Sequence, residues 1–395
     1  MSDQSVKTSS KRIYYLDYLR VSIVFVVIYL HSLLPFVIEY EWVINNTAKD
    51  YPLTSASTII DVFIMPIMFF IAGYFAFPSI RKGIKDFVAG KVFRILIPWA
   101  IGIIFLAPII SYLGLVQRGI IDISYIAYWT RGDFLNPFNQ HHFWFLISLF
   151  LFFMIFALVY TLMKNQFERI YEASREHPVS SRNIAIFIVL MLSASIGLYY
   201  LAGRYYPDGT WNTFFLLIPI QVTRWTGYVL YFIAGFITFI KRVDLKARFA
   251  KYGLLLSCAM IFGSTVLIDF KYRLYFTPDM AYLRPEIQFY NAIVSVIFCF
   301  IVFITLVSLF ANIDRPIKIL QRLAKKSYTI YIVHMVYTII LQYFVVRLAL
   351  DTYTKFFIIL GGTIVLSIGT AELISFLGSS INKIKRVDRN VRSPQ

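Results

Sequence analysis

Arg20 and His31 are the first residues in the chain whose types and spacing point to chemistry. They lie eleven residues apart within one long apolar run. At 3.6 residues per turn and 1.5 Å per residue, this spacing places them on one face of a helix, roughly 16 Å apart along its axis. Because both side chains are costly in apolar surroundings, we expect them to face a polar interior. Two alternatives stay open: Arg20 snorkels towards polar headgroups, and His31 hydrogen-bonds a neighbouring helix.

The composition of the chain shows how apolar those surroundings are. Of 395 residues, 59% are hydrophobic and 15% are charged, and the mean hydropathy is +0.69. A water-soluble core cannot bury so much apolar surface, so lipid must be the solvent. The sequence therefore predicts an all-α, polytopic integral membrane protein.

Apolar runs long enough to cross a bilayer, which takes about 20 residues, recur along the chain. We predict ten spans, at 13–36, 58–78, 93–116, 143–163, 184–203, 213–240, 252–270, 289–311, 327–349 and 356–380. Most of the 38 lysine and arginine residues fall on alternate connections, which places both termini in the cytoplasm. The net charge of +17 therefore reflects topology and does not indicate nucleic-acid binding.

The predicted organisation is a cytoplasmic tail at 1–12, a ten-helix membrane domain at 13–380 and a basic cytoplasmic tail at 381–395. The first span follows a polar, basic start without a small-residue cleavage site after it, so we expect it to be retained as a signal anchor.

Some apolar runs contain residues that affect their interpretation. The sixth contains Pro219 and Arg224, so we expect its helix to be kinked or broken there. Cys258 and Cys299 lie in apolar runs without the spacing of a metal site. We expect them to be buried apolar side chains and not a disulfide.

Further motifs carry polar or aromatic side chains at the ends of the predicted spans. They are Phe69-Phe70-x-x-Gly73-Tyr74, Lys91-x-x-Arg94-x-x-x-Pro98, His142-x-Trp144-Phe-Leu and Ser327-Tyr328-x-x-Tyr331-x-x-His334. In this order, and after Arg-x10-His, they resemble the acyltransferase-3 family of bacterial and animal membrane acyltransferases. The resemblance covers most of the chain, and its Met65-Pro66 element is similar to the branch that contains glucan-modifying proteins.

The resemblance implies a membrane O-acyltransferase of the bacterial inner (plasma) membrane. Such an enzyme moves an acyl group, acetyl or succinyl, from cytoplasmic acyl-CoA to a hydroxyl of an extracytoplasmic glycan, glycolipid or other carbohydrate. The expected partners are acyl-CoA as a donor substrate, the acceptor and the bilayer, with no nucleic acid. No metal and no permanently bound cofactor are expected.

Side-chain chemistry, taken together with the resemblance, suggests roles for individual residues. His31 is the candidate general base, since an imidazole can take the proton of an acceptor hydroxyl near neutral pH. Arg20 would orient the donor or stabilise charge on the attacked carbonyl oxygen. Asp61 is expected to reach His31 and fix its tautomer. Lys91 and Arg94 are expected to neutralise coenzyme A phosphates, although any cytoplasmic loop is basic.

Four residues are candidates for substrate binding: His142, Trp144, Tyr331 and His334. We expect His142 to bind the acceptor and Trp144 to stack on it, although aromatic residues favour membrane interfaces anyway. For His334, a hydrogen bond between helices is an equal alternative. The connections 117–142 and 271–288 are expected to engage the acceptor.

A transporter or flippase for a saccharide or small polar substrate is the alternative function. Arg20, His31 and Glu372 would then form a substrate or proton path. Its weakness is that the sequence shows no repeat between its halves.

Overall fold

A computed structural model describes residues 13–38, 40–135, 138–206, 208–214, 218–275, 284–313 and 315–392, and side chains beyond residue 379 are not described. The protein is 82% helical with almost no sheet, which confirms the predicted all-α membrane class. The side that carries the predicted cytoplasmic connections is called the inner side below.

Fourteen helices are present in the described part of the chain. They are α1 (Tyr14–Leu33), α2 (Tyr51–Ile80), α3 (Ile84–Lys91), α4 (Ile97–Ile101), α5 (Ala107–Gln117), α6 (Tyr125–Thr130), α7 (Trp144–Glu176), α8 (Ser181–Tyr205), α9 (Val222–Ile240), α10 (Leu245–Phe249), α11 (Gly253–Tyr275), α12 (Pro285–Ala311), α13 (Lys318–Val345) and α14 (Thr352–Arg392). Strands β1 (Asn212–Phe214) and β2 (Ile218–Ile220) form one antiparallel pair.

Nine helical segments among the described residues are long and apolar enough to cross a membrane. They correspond to every predicted span except the sixth. The apolar run 213–240 is divided, as its Pro219 and Arg224 predicted. Its first part contains the β1–β2 pair, and helix α9 begins only at Val222. The backbone of the last helix continues to Arg392, beyond the predicted span end at 380.

Helices α1 and α13 run parallel and in contact over most of their length. The Tyr18 hydroxyl donates to the Arg315 carbonyl at 2.9 Å, and the Gln342 amide donates to the His31 carbonyl at 2.8 Å. Because α13 begins at Lys318 rather than at 327, His334 lies roughly 24 Å above its inner end. The predicted span began only at 327 because the first turns of α13 are basic and escape hydropathy detection.

Helices α2 and α9 approach each other at the level of their backbones. A Cβ atom on Gly73 would lie 2.0 Å from the carbonyl oxygen of Phe232, and one on Gly235 would lie 2.0 Å from that of Phe70. Small residues permit such approach between membrane helices. The glycine of the Phe-Phe-x-x-Gly-Tyr motif therefore serves the α2–α9 contact.

The third span is a single helical rod in which α3, α4 and α5 are joined by two π-helical turns, Val92–Leu96 and Gly102–Leu106. Pro98 and Pro108 have no N–H and so leave the carbonyls of Arg94 and Ile104, four residues earlier, without their helical donors. Side chains from outside the rod replace both donors. The Tyr328 hydroxyl donates to the Arg94 carbonyl at 2.5 Å, and Nε1 of Trp129 donates to the Ile104 carbonyl at 2.9 Å.

Burial separates the central helices from the peripheral ones. Most of α1 is buried, whereas α8 and α11 are largely exposed on the outside of the bundle. Both cysteines are free thiols, Cys299 buried and Cys258 exposed. The burial expected of Cys258 was wrong because its helix, α11, is peripheral.

Candidate active site

The outer half of α1 places His31 against His334 of α13. Nδ1 of His31 lies 3.0 Å from Nε2 of His334, and the rings are parallel, with centroids 5.2 Å apart and planes inclined by 6°. His31 thus hydrogen-bonds a neighbouring helix, which is the alternative that the sequence left open for it.

The hydrogen bonds of this pair determine its tautomers. Nδ1 of His334 lies 2.6 Å from the carbonyl oxygen of Tyr331, which can only accept, so this nitrogen carries a proton. Nε2 of neutral His334 is then an acceptor, and His31 must donate to it from Nδ1. The Nε2 atom of His31 is left with a lone pair to which no described residue donates, and this is the form that acts as a base.

Two residues hold His31 from its other side. The Trp42 ring stacks on it, with centroids 5.6 Å apart and planes inclined by 19°. Nε1 of Trp42 donates to the Gln342 side chain at 3.1 Å, and that side chain donates to the His31 carbonyl at 2.8 Å. The imidazole is therefore held by an in-plane hydrogen bond to His334 and by the stacked Trp42 ring.

His142 joins the cluster from the turn before α7. Its ring lies edge-on to His334, with centroids 5.0 Å apart, and its Nε2 donates to the Ile332 carbonyl at 3.1 Å. The Tyr331 hydroxyl donates to the His142 carbonyl at 2.5 Å. With Nε2 protonated, Nδ1 of His142 is an acceptor, and it is buried without a hydrogen-bond partner among the described residues.

His141 is the fourth histidine at this level. Nε2 of His141 lies 2.8 Å from Oγ of Ser111 on α5. The residue has a positive φ of 47°, a conformation that side chains other than glycine rarely adopt. Its backbone N–H donates to Oδ1 of Asn139 at 2.7 Å.

Arg20 lies on the same side of α1 as His31 but near the inner end. One guanidinium nitrogen donates to the Ala324 carbonyl of α13 at 3.3 Å and lies 3.4 Å from Asp17. About a third of the side chain is exposed, while Nε is buried without a partner among the described residues. The helical rise keeps Arg20 roughly 16 Å from His31, so it does not reach an atom that reacts there.

Basic residues lie at the end of α3, in the turn after it and at the inner end of α13. The ammonium group of Lys91 lies over the Phe153 ring, 3.6 Å from its centroid, and the Arg94 side chain is exposed. An open cavity of about 400 Å³ lies between α13 and α14. It is lined by Lys318, Gln321, Arg322, Lys325, Lys326, Thr329, Ala371, Ile374 and Ser375.

Asp61 does not take up the expected place beside His31. It pairs with Arg224 of α9, whose Nε lies 3.4 Å from Asp208, and Lys271 lies 3.3 Å from Asp208. Burial opposes ionisation of Asp208, but Lys271 and Arg224 outweigh it and hold the pKa of this carboxyl well below its usual value. The expected Asp61–His31 contact was wrong, because a guanidinium is the stronger partner for a carboxylate.

Trp144 lies in an aromatic group that continues outwards from the histidines. It stacks on Tyr228 with centroids 5.9 Å apart, and Trp211 meets it edge-on at 5.3 Å. The residue after it, Phe145, packs against the Tyr331 ring at 5.6 Å. Trp211 is 48% exposed.

Comparison with protein families identifies the family of the chain. The sequence model of the acyltransferase-3 family, described as an acyltransferase domain, matches residues 13–372 and thus nearly the whole chain. The chain belongs to the acyltransferase-3 family. It is an acyltransferase that transfers groups other than amino-acyl groups, built as a multi-pass membrane protein. Comparisons with curated proteins and with solved structures find no match.

The acyltransferase brings its predicted site residues together in two places. Four meet at one level in its outer half: His31, His142, Tyr331 and His334. Trp144 lies beside them, whereas Arg20, Lys91 and Arg94 stand near the inner side. Two connections were expected to engage the acceptor. In the connection 271–288, residues 276–283 lie outside the described part of the chain. In the connection 117–142, Trp129 donates a hydrogen bond to the Ile104 carbonyl.

Sequence reasoning missed four polar or aromatic residues of this acyltransferase site: Trp42, Ser111, His141 and Gln342. His141 had a signal, since it directly precedes the motif histidine. The others are single residues near span ends, where such side chains are common, and nothing in their spacing distinguishes them.

Proposed function

We propose that this acyltransferase moves a short acyl group, acetyl or succinyl, from cytoplasmic acyl-CoA to a hydroxyl of an extracytoplasmic carbohydrate in a bacterial plasma membrane. The observation that carries the proposal is the free Nε2 lone pair of His31, held by the His31–His334–Tyr331 hydrogen bonds. A base fixed in one tautomer is what acyl transfer to an alcohol needs.

In the reaction, His31 takes the proton of the acceptor hydroxyl through Nε2 as the hydroxyl oxygen attacks the acyl carbonyl. His334 acts as a positioning residue: its Nε2 accepts from His31 and stabilises the imidazolium that forms. The carbonyl of Tyr331 holds His334 in turn. This order of base, orienting group and third group corresponds to that of hydrolase triads, with an imidazole where those have a carboxylate.

The donor is proposed to enter from the inner side. Coenzyme A carries several phosphate charges, and Arg20, Lys91 and Arg94 supply cations on that side. Arg20 keeps a buried Nε donor without a partner among the described residues, which leaves it able to bind an anion. Because Arg20 lies roughly 16 Å from His31 along α1, its proposed role is to orient the donor and not to stabilise the carbonyl oxygen attacked at His31.

The acceptor is proposed to enter from the outer side, along the aromatic group. Trp144 and the exposed Trp211 offer faces on which a sugar ring can stack. The buried Nδ1 of His142 is an acceptor for a hydroxyl donor. The nearby cluster of Asp61, Asp208, Arg224 and Lys271 balances two carboxylates against two cations, which suits a neutral carbohydrate.

Transport, the alternative function, loses one of its supports. Glu372 pairs with Arg322 at 2.8 Å and with Lys326 at the inner end of α13. It therefore stands apart from Arg20 and His31 and does not form a path with them.

Thiol release from acetyl-CoA and succinyl-CoA by the purified protein in lipid tests the proposal. The reaction is followed with and without cell-wall glycans, for the wild type, His31→Ala and His177→Ala. His177 is an exposed histidine just after α7 and provides a matched control. We expect glycan-dependent release that falls about 10²-fold or more in His31→Ala, the usual contribution of a general base, and is unchanged in His177→Ala.

The two other outcomes have different meanings. Full turnover in His31→Ala would refute His31 as the base. Absence of release with every donor and glycan would refute acyl-CoA as the donor and carbohydrate as the acceptor.

A further inference from the structure

Ser111 and His141 form a second pair of reactive groups that the mechanism above does not use. Their side chains meet at 2.8 Å, within the distance at which an imidazole activates a serine hydroxyl. With its proton on Nδ1, His141 accepts the hydroxyl proton at Nε2. A nucleophile and a base in contact are the signature of covalent catalysis.

The segment that carries His141 is fixed more firmly than an ordinary loop. The Gln140 side chain accepts from Nε1 of Trp99 at 2.9 Å, and the Phe143 ring packs so closely on Gly102 that a Cβ there would lie 2.3 Å away. These contacts hold the positive φ of His141 in place. Strained backbone maintained in this way is concentrated at functional sites.

Ser111 is positioned from a second direction as well. The hydroxyl of Tyr128 on α6 lies within hydrogen-bonding reach of it, and Tyr128 is only 2% exposed. Ser111 stands six residues before the end of α5, roughly 9 Å below its outer end. His31 also lies near the outer end of its helix, two residues from the end of α1.

The pair belongs to the same cluster as the proposed base. His141 directly precedes His142, whose ring centroid lies 5.0 Å from that of His334, the hydrogen-bond partner of His31. A group held on Ser111 would therefore lie at the histidine cluster that contains His31.

We propose that Ser111 carries the acyl group as a covalent ester between donor and acceptor, with His141 as its base. This inference rests on the proposed donor. In the first step Ser111 Oγ attacks the thioester carbonyl and His141 takes the hydroxyl proton. The carbon–sulfur bond breaks, and His141 returns the proton to the departing thiolate, which leaves as the free thiol of coenzyme A.

In the second step the acceptor hydroxyl attacks the ester carbonyl of acyl-Ser111. His31 takes the hydroxyl proton, the bond to Ser111 Oγ breaks, and the proton passes from His31 to that oxygen. The products are the carbohydrate ester and free Ser111, with both imidazoles neutral again.

The test is the donor half-reaction of the full chain in lipid, without any acceptor. Acetyl-CoA carrying a labelled acetyl group is added, and thiol release is timed against the label bound to the protein, which is located by mass spectrometry of peptides. We expect a burst of about one thiol per protein and label on the peptide that contains Ser111. His31→Ala should keep the label and fail to pass it to glycan.

Variants of the pair distinguish a covalent role from a structural one. Ser111→Ala should lose burst and label, whereas Ser111→Cys should become labelled through a thioester, which shows that the variant site is folded. His141→Gln should slow the burst about 10²-fold or more. Ser195→Ala, which removes a buried hydroxyl from the peripheral helix α8, should label normally.

The inference and the proposed function fail in different ways. Glycan-dependent transfer at the wild-type rate in Ser111→Ala, or wild-type transfer without any label on Ser111, would overturn the covalent carrier and leave acyl transfer standing. Absence of transfer by the wild type from every acyl-CoA would overturn both.

Discussion

The bond from Tyr328 to the Arg94 carbonyl joins two sequence motifs and gives a stability prediction that can be worked out from the structure. Pro98 removes the N–H that would otherwise serve this carbonyl, and the Tyr328 hydroxyl serves it at 2.5 Å. Tyr328→Phe deletes that donor alone. Hydrogen bonds between membrane helices contribute about 0.6 kcal/mol on average and up to about 1.7. Because an orphaned carbonyl adds its own penalty, we expect a loss of about 1–2 kcal/mol of unfolding free energy.

The mechanism is tested by combining Tyr328→Phe with Pro98→Ala. Alanine at 98 provides the N–H that can donate to the Arg94 carbonyl, so the tyrosine hydroxyl should matter less in that background. We expect a coupling energy of about 1 kcal/mol between the two positions. The measurement is equilibrium unfolding in mixed micelles of the wild type, both single variants and the double variant.

A second proline provides the control. Trp129 serves the Ile104 carbonyl, which Pro108 leaves free, so Trp129→Phe and Pro108→Ala should couple in the same way. The crossed combination, Tyr328→Phe with Pro108→Ala, should be additive within about 0.5 kcal/mol. An equal cost of Tyr328→Phe with and without Pro98 would refute the reasoning.

Three further predictions concern the site and the fold. His334→Ala should lower kcat with little change in KM because it releases His31. His334→Gln should recover part of kcat because an amide oxygen can accept from Nδ1 of His31, and equal kcat in both variants would contradict the tautomer assignment. Gly73→Ala should destabilise the protein by about 1–3 kcal/mol in thermal or chemical unfolding, whereas Gly361→Ala should not, because Gly361 has open space around it. Equal stability of the two variants would contradict the close α2–α9 contact. Trp211→Ala should raise KM for glycan by about tenfold and leave KM for acyl-CoA unchanged; the reverse pattern would place Trp211 on the donor side.

The fold could be predicted largely from the sequence because a membrane helix is defined by the length of its apolar run. The prediction was least accurate where polarity and span do not coincide. Hydropathy did not detect the basic first turns of α13, although they are helical from Lys318. It also merged β1, β2 and α9 into one run, although Pro219 and Arg224 marked the place where that run divides.

The site could be predicted on one helix but not between helices. Helical periodicity was enough to place Arg20 and His31 on one face of α1. The partner of His31 lies 303 residues away, and no local rule connects positions so distant in sequence. Asp61 was chosen as the partner of His31 because imidazoles commonly pair with carboxylates. Arg224 of α9 competes for that carboxylate and binds it.

The continuity of α1 has a mechanical consequence. Between Tyr14 and Leu33 the helix contains neither proline nor glycine, and the bundle encloses it, in contrast to the third span with its two π-helical turns. Arg20 and His31 thus lie on one rigid helix, and no hinge between them can shorten their separation. In the proposed function the coenzyme A phosphates bind at the depth of Arg20, so the flexible arm that carries the acyl group must span the distance to His31. The enzyme would then select its donors by length as well as by charge.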